Sequence, residues 1–180
     1  MPLKKLKLSA TKIRIYSIVS MLVLVGVDQF IKYYVDLRLK PVGAVPFIEG
    51  FMQFSYYEND GAMMGMMSGK TLTMTILAVI CLVVIMFVIF SGKVKFGVDY
   101  CCIVLMMSGG LGNIIDRIFR GYVIDYIEVL FIDFYIFNFA DCLITVGAFG
   151  LIFYLIYDLI KDTKKSKNTA SEGIENDSGK

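Results

Sequence analysis

Residues Thr71–Phe90 read TLTMTILAVICLVVIMFVIF, a run without one charged side chain. A helix rises about 1.5 Å per residue, so a helix of this length crosses a hydrocarbon core of about 30 Å. Across the chain of 180 residues, 57% of the side chains are hydrophobic and 19% are charged. Soluble domains have roughly 45–50% and about 25%, respectively. The chain is therefore predicted to span a membrane.

Three further apolar segments of helical length lie on either side of this run. They cover about residues 13–35, 96–116 and 134–157 and contain few charged side chains. We therefore predict an all-α membrane protein with four transmembrane helices, in which residues 1–160 form one domain. The polar segment 161–180 is rich in lysine, serine and asparagine, and it is predicted to be a disordered cytoplasmic tail.

Basic residues predict the orientation in the membrane. Lysine and arginine precede the first span, lie in the short turn 91–95 between the second and third spans, and follow the fourth span. Because basic residues favour the cytoplasmic side, both termini and this turn are predicted to be cytoplasmic, and segments 36–70 and 117–133 are predicted to lie outside. The first apolar segment runs into Asp28 without a small-residue cleavage site, which favours a retained anchor over a cleaved signal peptide.

Both outer segments contain strand-like stretches. Phe51–Tyr57 partly alternates between apolar and polar side chains, and Tyr122–Val129 is rich in β-branched and aromatic residues. Both patterns are typical of short strands. Aromatic side chains also suit the membrane–water interface. The sequence therefore predicts a small, partly β extracytoplasmic cap at the outer membrane interface.

The composition excludes several kinds of chemistry. The chain has no histidine, which excludes Ser-His and Cys-His catalysis and histidine-ligated zinc or haem. The four cysteines lie in apolar stretches without a Cys-x-x-Cys pair, and we expect no metal and no cofactor. The net charge of +2 is too balanced to predict a nucleic-acid partner. Acid–base chemistry therefore falls to Asp, Glu, Tyr, Lys or Cys.

Acidic residues inside membrane spans need a partner or a role, because an Asp at a helix centre costs roughly 2.5–3.5 kcal/mol on insertion scales. Asp28 and Lys32 are four residues apart on one helix face. They are expected to pair. One interpretation is that the couple snorkels to the interface and anchors the end of the first span.

A second polar group ends the third predicted span. Asn113, Asp116 and Arg117 follow a glycine-rich stretch that includes Gly112. The glycines allow another helix to approach closely. Helix packing and polar contacts between helices explain much of this group, and the spacing leaves open whether it does more.

Asp141 is harder to explain by packing. It lies about eight residues beyond Asp133 in the fourth predicted span, within the hydrocarbon region, and Asn138 precedes it by three positions. If the outer loop folds Asp125 back over the start of this span, two carboxylates meet. Such a pair shares a proton, so that one carboxylate activates water while the other hydrogen-bonds the scissile carbonyl. Spacing alone leaves open that Asp141 only binds a neighbouring helix.

Five short motifs occur in order between about residues 28 and 147. They are Asp28-Gln29-x-x-Lys32, Asn59-x-Gly61-Ala62-x-x-Gly65, Gly109-x-x-Gly112-Asn113-x-x-Asp116-Arg117, Gly121-x-Val123-x-Asp125 and Phe137-Asn138-x-Ala140-Asp141. Any one of them is a weak match. Together they resemble the bacterial lipoprotein signal peptidases (signal peptidase II).

The resemblance implies a membrane-embedded aspartic endopeptidase that removes the signal peptide from prolipoproteins by cleaving just before a diacylglyceryl-modified cysteine. It implies that Asp125 and Asp141 are the catalytic pair. The residues that match substrate-binding or pair-supporting positions are Asn59, Asn113, Arg117 and Asn138. Those that match structural positions are Asp28, Lys32, Gly61, Gly112 and Asp116. The implied site lies near the outer face of the bacterial cytoplasmic membrane, and the implied partners are prolipoproteins and membrane lipid.

The chain departs from the family pattern at a few positions. Met63 and Met64 stand where Ala and Phe are common, and Tyr126 follows Asp125 where Phe is usual. Methionine fills apolar gaps flexibly. We therefore expect a softer pocket that keeps the chemical groups of the mechanism.

Two other classes of protein were weighed against a peptidase. A small proton-coupled transporter would relay protons through Asp28, Asp116 and Asp141, with acids spread through the membrane depth and an internal repeat. The acids here gather at one side, and no repeat is seen. A non-catalytic scaffold would tolerate replacement of both Asp125 and Asp141 by Asn. We predict a peptidase that acts as a monomer.

Overall fold

The computed structural model describes residues 9–61, 71–90 and 97–177. Its elements in chain order are helix α1 (Ala10–Arg38), strands β1 (Ala44–Ile48) and β2 (Met52–Asn59), helices α2 (Thr71–Phe90) and α3 (Val98–Phe119), strand β3 (Val123–Val129) and helix α4 (Phe139–Asp177). The predicted combination of mostly helical structure with a small β portion is confirmed. The Ala62–Gly65 part of the second motif lies outside the described residues.

The helices have the length and composition that a bilayer requires. Among the described residues, Thr11–Arg38, Val98–Phe119 and Phe139–Thr163 are long and apolar enough to cross a membrane, and Thr71–Phe87 forms a shorter apolar helix. Large apolar side chains such as Leu72 lie exposed on the helix surfaces. A water-soluble fold would bury such side chains, whereas a membrane helix presents them to lipid.

Helix α3 lies at the centre and contacts the other three helices. Its glycines allow the close approach that the sequence predicts. A Cβ atom on Gly109 would overlap the backbone oxygen of Ala140, and one on Gly112 would overlap the carboxylate of Asp28. Helices α1 and α4 can therefore press against α3 only where α3 has no side chain.

The strands form one antiparallel sheet in the order β1-β2-β3. Strands β2 and β3 confirm the two predicted stretches, whereas β1 was not predicted. Pro46 lies within β1 and argues against a strand on propensity, yet β1 is an edge strand, where a missing N–H is tolerated. Gly50, in the turn to β2, has a φ of 70°, a left-handed conformation that glycine adopts without strain.

The sheet packs on the end of α1 through a small apolar core formed by Val35, Leu39, Ile124 and Tyr126. A bulge lies between Phe54 and Tyr57 on β2. The extra residue changes which side chains of β2 face those of β3. After the bulge, β2 carries Asn59 alongside β3, next to the position of Asp125.

Helix α4 begins at Phe139, later than the predicted start near residue 134. The backbone N–H and C=O of Phe137 are both hydrogen-bonded to Ile127 of β3. Because these groups pair with a strand, the chain cannot turn into a helix before residue 138. Asp141 therefore lies in the first turn of α4, and not two turns inside a span as predicted.

The other end of α4 also differs from the prediction. The helix continues through Asp177, so the backbone of 161–177 is helical where the composition predicts a disordered tail. Once a helix has been nucleated, each added residue forms one further hydrogen bond. Lys, Ala and Glu in this segment are also good helix formers, which favours extension.

Candidate active site

A cavity of about 250 Å³ lies where β2, β3 and α3 meet the start of α4. Its polar lining residues are Asn59, Asn113, Arg117, Asp125 and Asp141. Its apolar lining residues are Ala78, Gly110, Val123, Tyr135, Ile136 and Ile144. The fold thus brings both predicted carboxylates and three of the four predicted supporting residues to one cavity.

The position of Asp141 is set by the way α4 starts. Asn138 is the residue before the helix, and its Oδ1 accepts a hydrogen bond from the backbone N–H of Asp141 at 3.0 Å. In return, Oδ2 of Asp141 accepts from the backbone N–H of Asn138 at 3.1 Å. This reciprocal arrangement is a capping box. It holds the Asp141 carboxylate at the positive end of the helix dipole.

The next N–H groups of α4 are satisfied by other parts of the fold. The Phe139 N–H donates to the hydroxyl of Tyr126 at 3.1 Å, a group that Phe at this position would lack. The Ala140 N–H donates to Oδ1 of Asp28 at 3.1 Å. Side chains of β3 and α1 therefore attach to the first turn of α4 through groups that a helix start leaves unpaired.

Asp125 lies on β3 and is only 2% exposed. Its Oδ2 accepts from Nδ2 of Asn59 at 2.8 Å, and its Oδ1 accepts from Nδ2 of Asn138 at 2.6 Å. Burial, followed by the nearby Asp141 carboxylate, raises the pKa of Asp125 to about 7. Asn138 therefore donates to both carboxylates, to Asp125 through its side-chain NH2 group and to Asp141 through its backbone N–H.

The side-chain amides of Asn59 and Asn138 have defined orientations. The Gly61 N–H donates to Oδ1 of Asn59 at 3.0 Å, and the Asp141 N–H donates to Oδ1 of Asn138. Because a backbone N–H can face only the oxygen of an amide, the NH2 group of each asparagine is directed at Asp125. The carboxylate of Asp125 thus receives two donors whose orientation is fixed by the backbone.

Asn113 donates a side-chain hydrogen bond to Asp141, as Asn59 and Asn138 do to Asp125. Its Nδ2 donates to Oδ1 of Asp141 at 2.9 Å. Its Oδ1 accepts from Nζ of Lys32 at 2.8 Å and from Nδ2 of Asn138 at 3.2 Å. The amide orientation of Asn113 therefore depends on a buried cation.

Lys32 belongs to an ion cluster inside the protein. Its Nζ lies 2.9 Å from Oδ2 of Asp28 and 2.9 Å from Oδ2 of Asp116, and all three side chains are fully buried. The predicted Asp28–Lys32 pair is confirmed, whereas the interpretation that it snorkels to the interface is wrong, since Asp116 and the packed helices enclose it. Sequence reasoning did not assign a role to Gln29, whose Nε2 donates to Asp28 and Asp116 at 3.2 Å.

Arg117 is the cation that faces the cavity. Its Nη2 donates to the backbone oxygen of Gly61 at 3.3 Å. Its Nε is buried and has no hydrogen-bond partner within residues 9–61, 71–90 and 97–177. Arg117 thus brings a positive charge to the cavity that Asp125 and Asp141 line.

Two carboxylates that line one cavity can divide acid and base roles. The charge of one opposes ionisation of the other, so the pair holds a proton that neither acid would keep alone. The cavity is therefore suited to general acid–base attack by water on a polarised bond.

Comparisons with known proteins agree on one family. The model of a family described as signal peptidase (SPase) II matches residues 20–157. A lipoprotein signal peptidase of Lactobacillus johnsonii is 36% identical over 155 residues, which cover 86% of this chain and 100% of that protein. One from Fusobacterium nucleatum is 38% identical over 133 residues, covering 73% and 80%. A solved bacterial membrane enzyme superimposes with a TM-score of 0.74 at 31% identity, covering 80% of this chain and 89% of that one.

Proposed function

The chain belongs to the signal peptidase II family, and we propose that Asp125 and Asp141 are the catalytic pair with which this membrane-embedded aspartic peptidase removes signal peptides from prolipoproteins. The observation that carries the proposal is the cavity in which these two carboxylates meet, each held by asparagine donors. No other acidic side chain lines this cavity in the part of the chain that the structure describes.

Asp141 acts as the base and Asp125 holds the shared proton. The start of α4 favours a negative charge on Asp141, and Arg117 lines the same cavity. The pKa of Asp125, at about 7, keeps it protonated up to neutral pH. Asp141 takes a proton from water as the water oxygen attacks the scissile carbonyl, and Asp125 hydrogen-bonds the carbonyl oxygen. When the tetrahedral intermediate collapses, the leaving amine takes a proton from Asp141, and the signal peptide keeps the new carboxyl group.

Arg117 and the apolar wall bind the peptide. The unpaired Nε of Arg117 suits a carbonyl oxygen of the substrate backbone. Ala78, Ile136 and Ile144 form an apolar wall of this cavity beside the two carboxylates. This wall suits the apolar end of a signal peptide, cleaved just before the diacylglyceryl-modified cysteine, with β2 and β3 covering the peptide.

In this proposal the site lies near the outer face of the bacterial cytoplasmic membrane, at one end of four transmembrane helices. Helices α1 and α3 end, and α4 begins, on the side of the sheet, so the cavity sits at one end of the helices. Basic residues such as Lys12 and Arg14 lie at the other end of α1, which favours cytoplasmic termini. A monomer then receives the substrate helix sideways from lipid, while water reaches the carboxylates from outside.

The test uses purified protein in detergent and a fluorescent diacylglyceryl-modified prolipoprotein whose cleavage is followed on a gel. We expect D125N and D141N each to lower kcat by about 1,000-fold or more, because each removes an acid–base group. Asp133→Asn is the matched control, since Asp133 is an exposed acid in the loop between the two carboxylates, and it should cut at the wild-type rate.

Each result decides one part of the proposal. A wild-type rate from D125N or D141N would remove that residue from the catalytic pair. A wild-type protein that is inactive beside an active lipoprotein signal peptidase would leave only the fold assigned. Equal cleavage of a substrate without the lipid would contradict the requirement for the modified cysteine.

A further inference from the structure

We propose that Lys32 is a positioning residue for the reaction, because it holds the side-chain amide of Asn113 with its NH2 group turned towards Asp141. This inference rests on the proposed catalytic roles of Asp141 and Asp125. It assigns to a buried cation, which does not line the cavity, an effect on the rate of cleavage in addition to its contribution to stability.

The contacts of Lys32 account for its whole donor capacity. An ammonium group has three N–H donors and no acceptor. The Nζ atom lies 2.9 Å from Asp28, 2.9 Å from Asp116 and 2.8 Å from Oδ1 of Asn113. Each donor therefore has one acceptor, and the third acceptor is the oxygen of a neutral amide.

This third contact favours one of two amide orientations, the one that the longer hydrogen bond from Nδ2 of Asn138 to Oδ1 of Asn113, at 3.2 Å, also favours. With its oxygen on the ammonium group, Asn113 directs Nδ2 at Oδ1 of Asp141, at 2.9 Å. In the flipped amide, two NH2 hydrogens would face the ammonium group and an oxygen would face the Asp141 carboxylate. Both contacts would be repulsive, so Lys32 keeps a donor in place beside the proposed base.

The two acids of the ion cluster have other donors besides Lys32. Asp28 also accepts from the Ala140 N–H at 3.1 Å. Asp116 also accepts from the Ile124 N–H and lies 3.4 Å from Nε of Arg120. Over the residues that the structure covers, Lys32 is the one cation that donates to Asn113. Of the three contacts of Lys32, the one with Asn113 is therefore the one that leads to Asp141.

The experiment removes Lys32 without leaving an extra buried charge. A single K32M change would leave two buried carboxylates without the Lys32 cation and would destabilise the fold, so that a lower rate could come from lost stability alone. The double variant K32M/D116N keeps the net charge of the cluster, with Asp28 as the remaining carboxylate. Its reference is D116N, which retains Lys32 and its contact with Asn113.

We expect K32M/D116N to have a kcat about 30-fold below that of D116N, because a hydrogen bond to a charged group loses its fixed donor. The KM should stay within about threefold, since no substrate-lining residue is changed. Arg120→Gln is the matched control, because Arg120 also contacts Asp116 but not Asn113, and its kcat should equal that of the wild type. The unfolding temperature of each variant is measured beside its kinetics.

A second pair of variants separates positioning from support of the fold. In an N113A/D116N background, adding K32M should lower kcat by less than about twofold, because the amide through which Lys32 acts is gone. A purely structural role predicts the same loss in both backgrounds, together with a lower unfolding temperature. That result, or a K32M/D116N enzyme as fast as D116N, would overturn the inference.

The results for the Lys32 variants can be distinguished from the results that test the proposed function. Active D125N or D141N enzymes would contradict the proposed function, whereas a fast K32M/D116N enzyme contradicts only the role of Lys32. If K32M/D116N does not fold, the uncharged variant D28N/K32M/D116N takes its place against D28N/D116N. The same loss of kcat is expected there, and equal values would overturn the inference.

Discussion

Two Asp–Lys pairs with the same i,i+4 spacing, one inside α1 and one that reaches past its C-terminal end, have opposite surroundings. Asp28 and Lys32 are 2.9 Å apart with both side chains at 0% exposure. Asp36 and Lys40 are 3.6 Å apart with exposures of 34% and 48%. The i,i+4 spacing predicts a contact in each case. The spacing does not predict how much each contact contributes to stability, because solvent weakens one pair and is excluded from the other.

The two pairs also serve different parts of the molecule. Lys40 donates to Glu58 of β2 at 2.8 Å, and this hydrogen bond lowers the pKa of Glu58. Tyr56 donates to Asp36 at 2.8 Å, so the surface pair attaches the end of α1 to the sheet. The buried pair instead reaches the start of α4 and the carboxylates of the cavity.

The largest expected difference between the pairs is in stability. Replacing Lys32 by Met leaves Asp28 and Asp116 buried without their cation, and we expect a loss of about 3–5 kcal/mol in the free energy of unfolding. Denaturant unfolding in detergent measures this loss, with Lys40→Met, just past the end of α1, as the matched variant. If both variants lost the same stability, burial would not be what distinguishes the pairs.

The second expected effect is a loss of stability when a methyl group is added next to the buried pair. A Cβ atom at Gly112 would overlap Asp28, whose other contacts prevent it from moving away. Gly112→Ala should therefore lower the free energy of unfolding by about 1–3 kcal/mol, as overpacking does. Gly110→Ala is the control, because its new methyl group would meet only Leu82 at 3.9 Å. A gain of up to about 1 kcal/mol is expected there, since alanine favours a helix.

The third effect is on the pH dependence of cleavage. Activity should fall as pH rises through about 7, where Asp125 loses its proton. Asn59 donates to Asp125 at 2.8 Å and so favours the ionised form. Asn59→Ala should raise the pKa of Asp125 further and move the alkaline limb of kcat/KM up by about one pH unit. Tyr57→Phe, on the same strand, should leave the limb in place, and a downward shift in N59A would contradict this account.

The smallest effect is expected at the surface pair. Lys40→Gln removes a contact that solvent and salt already weaken. We expect its unfolding temperature to stay within the scatter of replicate measurements. A clear loss that disappears in high salt would show that the surface cluster of Asp36, Lys40 and Glu58 acts as a network and not as separate exposed pairs.

Sequence patterns predicted the elements whose signals are local. The charge-free run at α2, the aromatic and β-branched stretch at β3 and the glycines at 109 and 112 each predicted what the structure contains. Strand β1 was missed because Pro46 argues against a strand when its edge position is unknown. The start of α4 was predicted too early because the apolar residues before Phe139 fit a helix equally well, and only their pairing with β3 excludes it.

The candidate site also has some features that the sequence predicted and others that it did not. The motifs predicted which residues belong together, and the comparisons confirmed the family, while the catalytic roles of Asp125 and Asp141 stay a prediction. Spacing did not predict that Asn113 and Asn138 would each have one amide orientation. That orientation depends on donors from distant parts of the chain, Lys32 in the one case and the first turn of α4 in the other.

The sequence by itself determined that this chain enters a membrane and that any acid–base chemistry falls to Asp, Glu, Tyr, Lys or Cys. These conclusions need only composition and spacing, since the cost of placing a charge in lipid and the lack of histidine do not depend on the fold. Only the tertiary structure decided that Lys32 is enclosed while Lys40 is not, and that a capping box holds Asp141 beside Asp125. Burial and hydrogen-bond direction depend on which distant segments pack together, and the strength of every charge in the site depends on both.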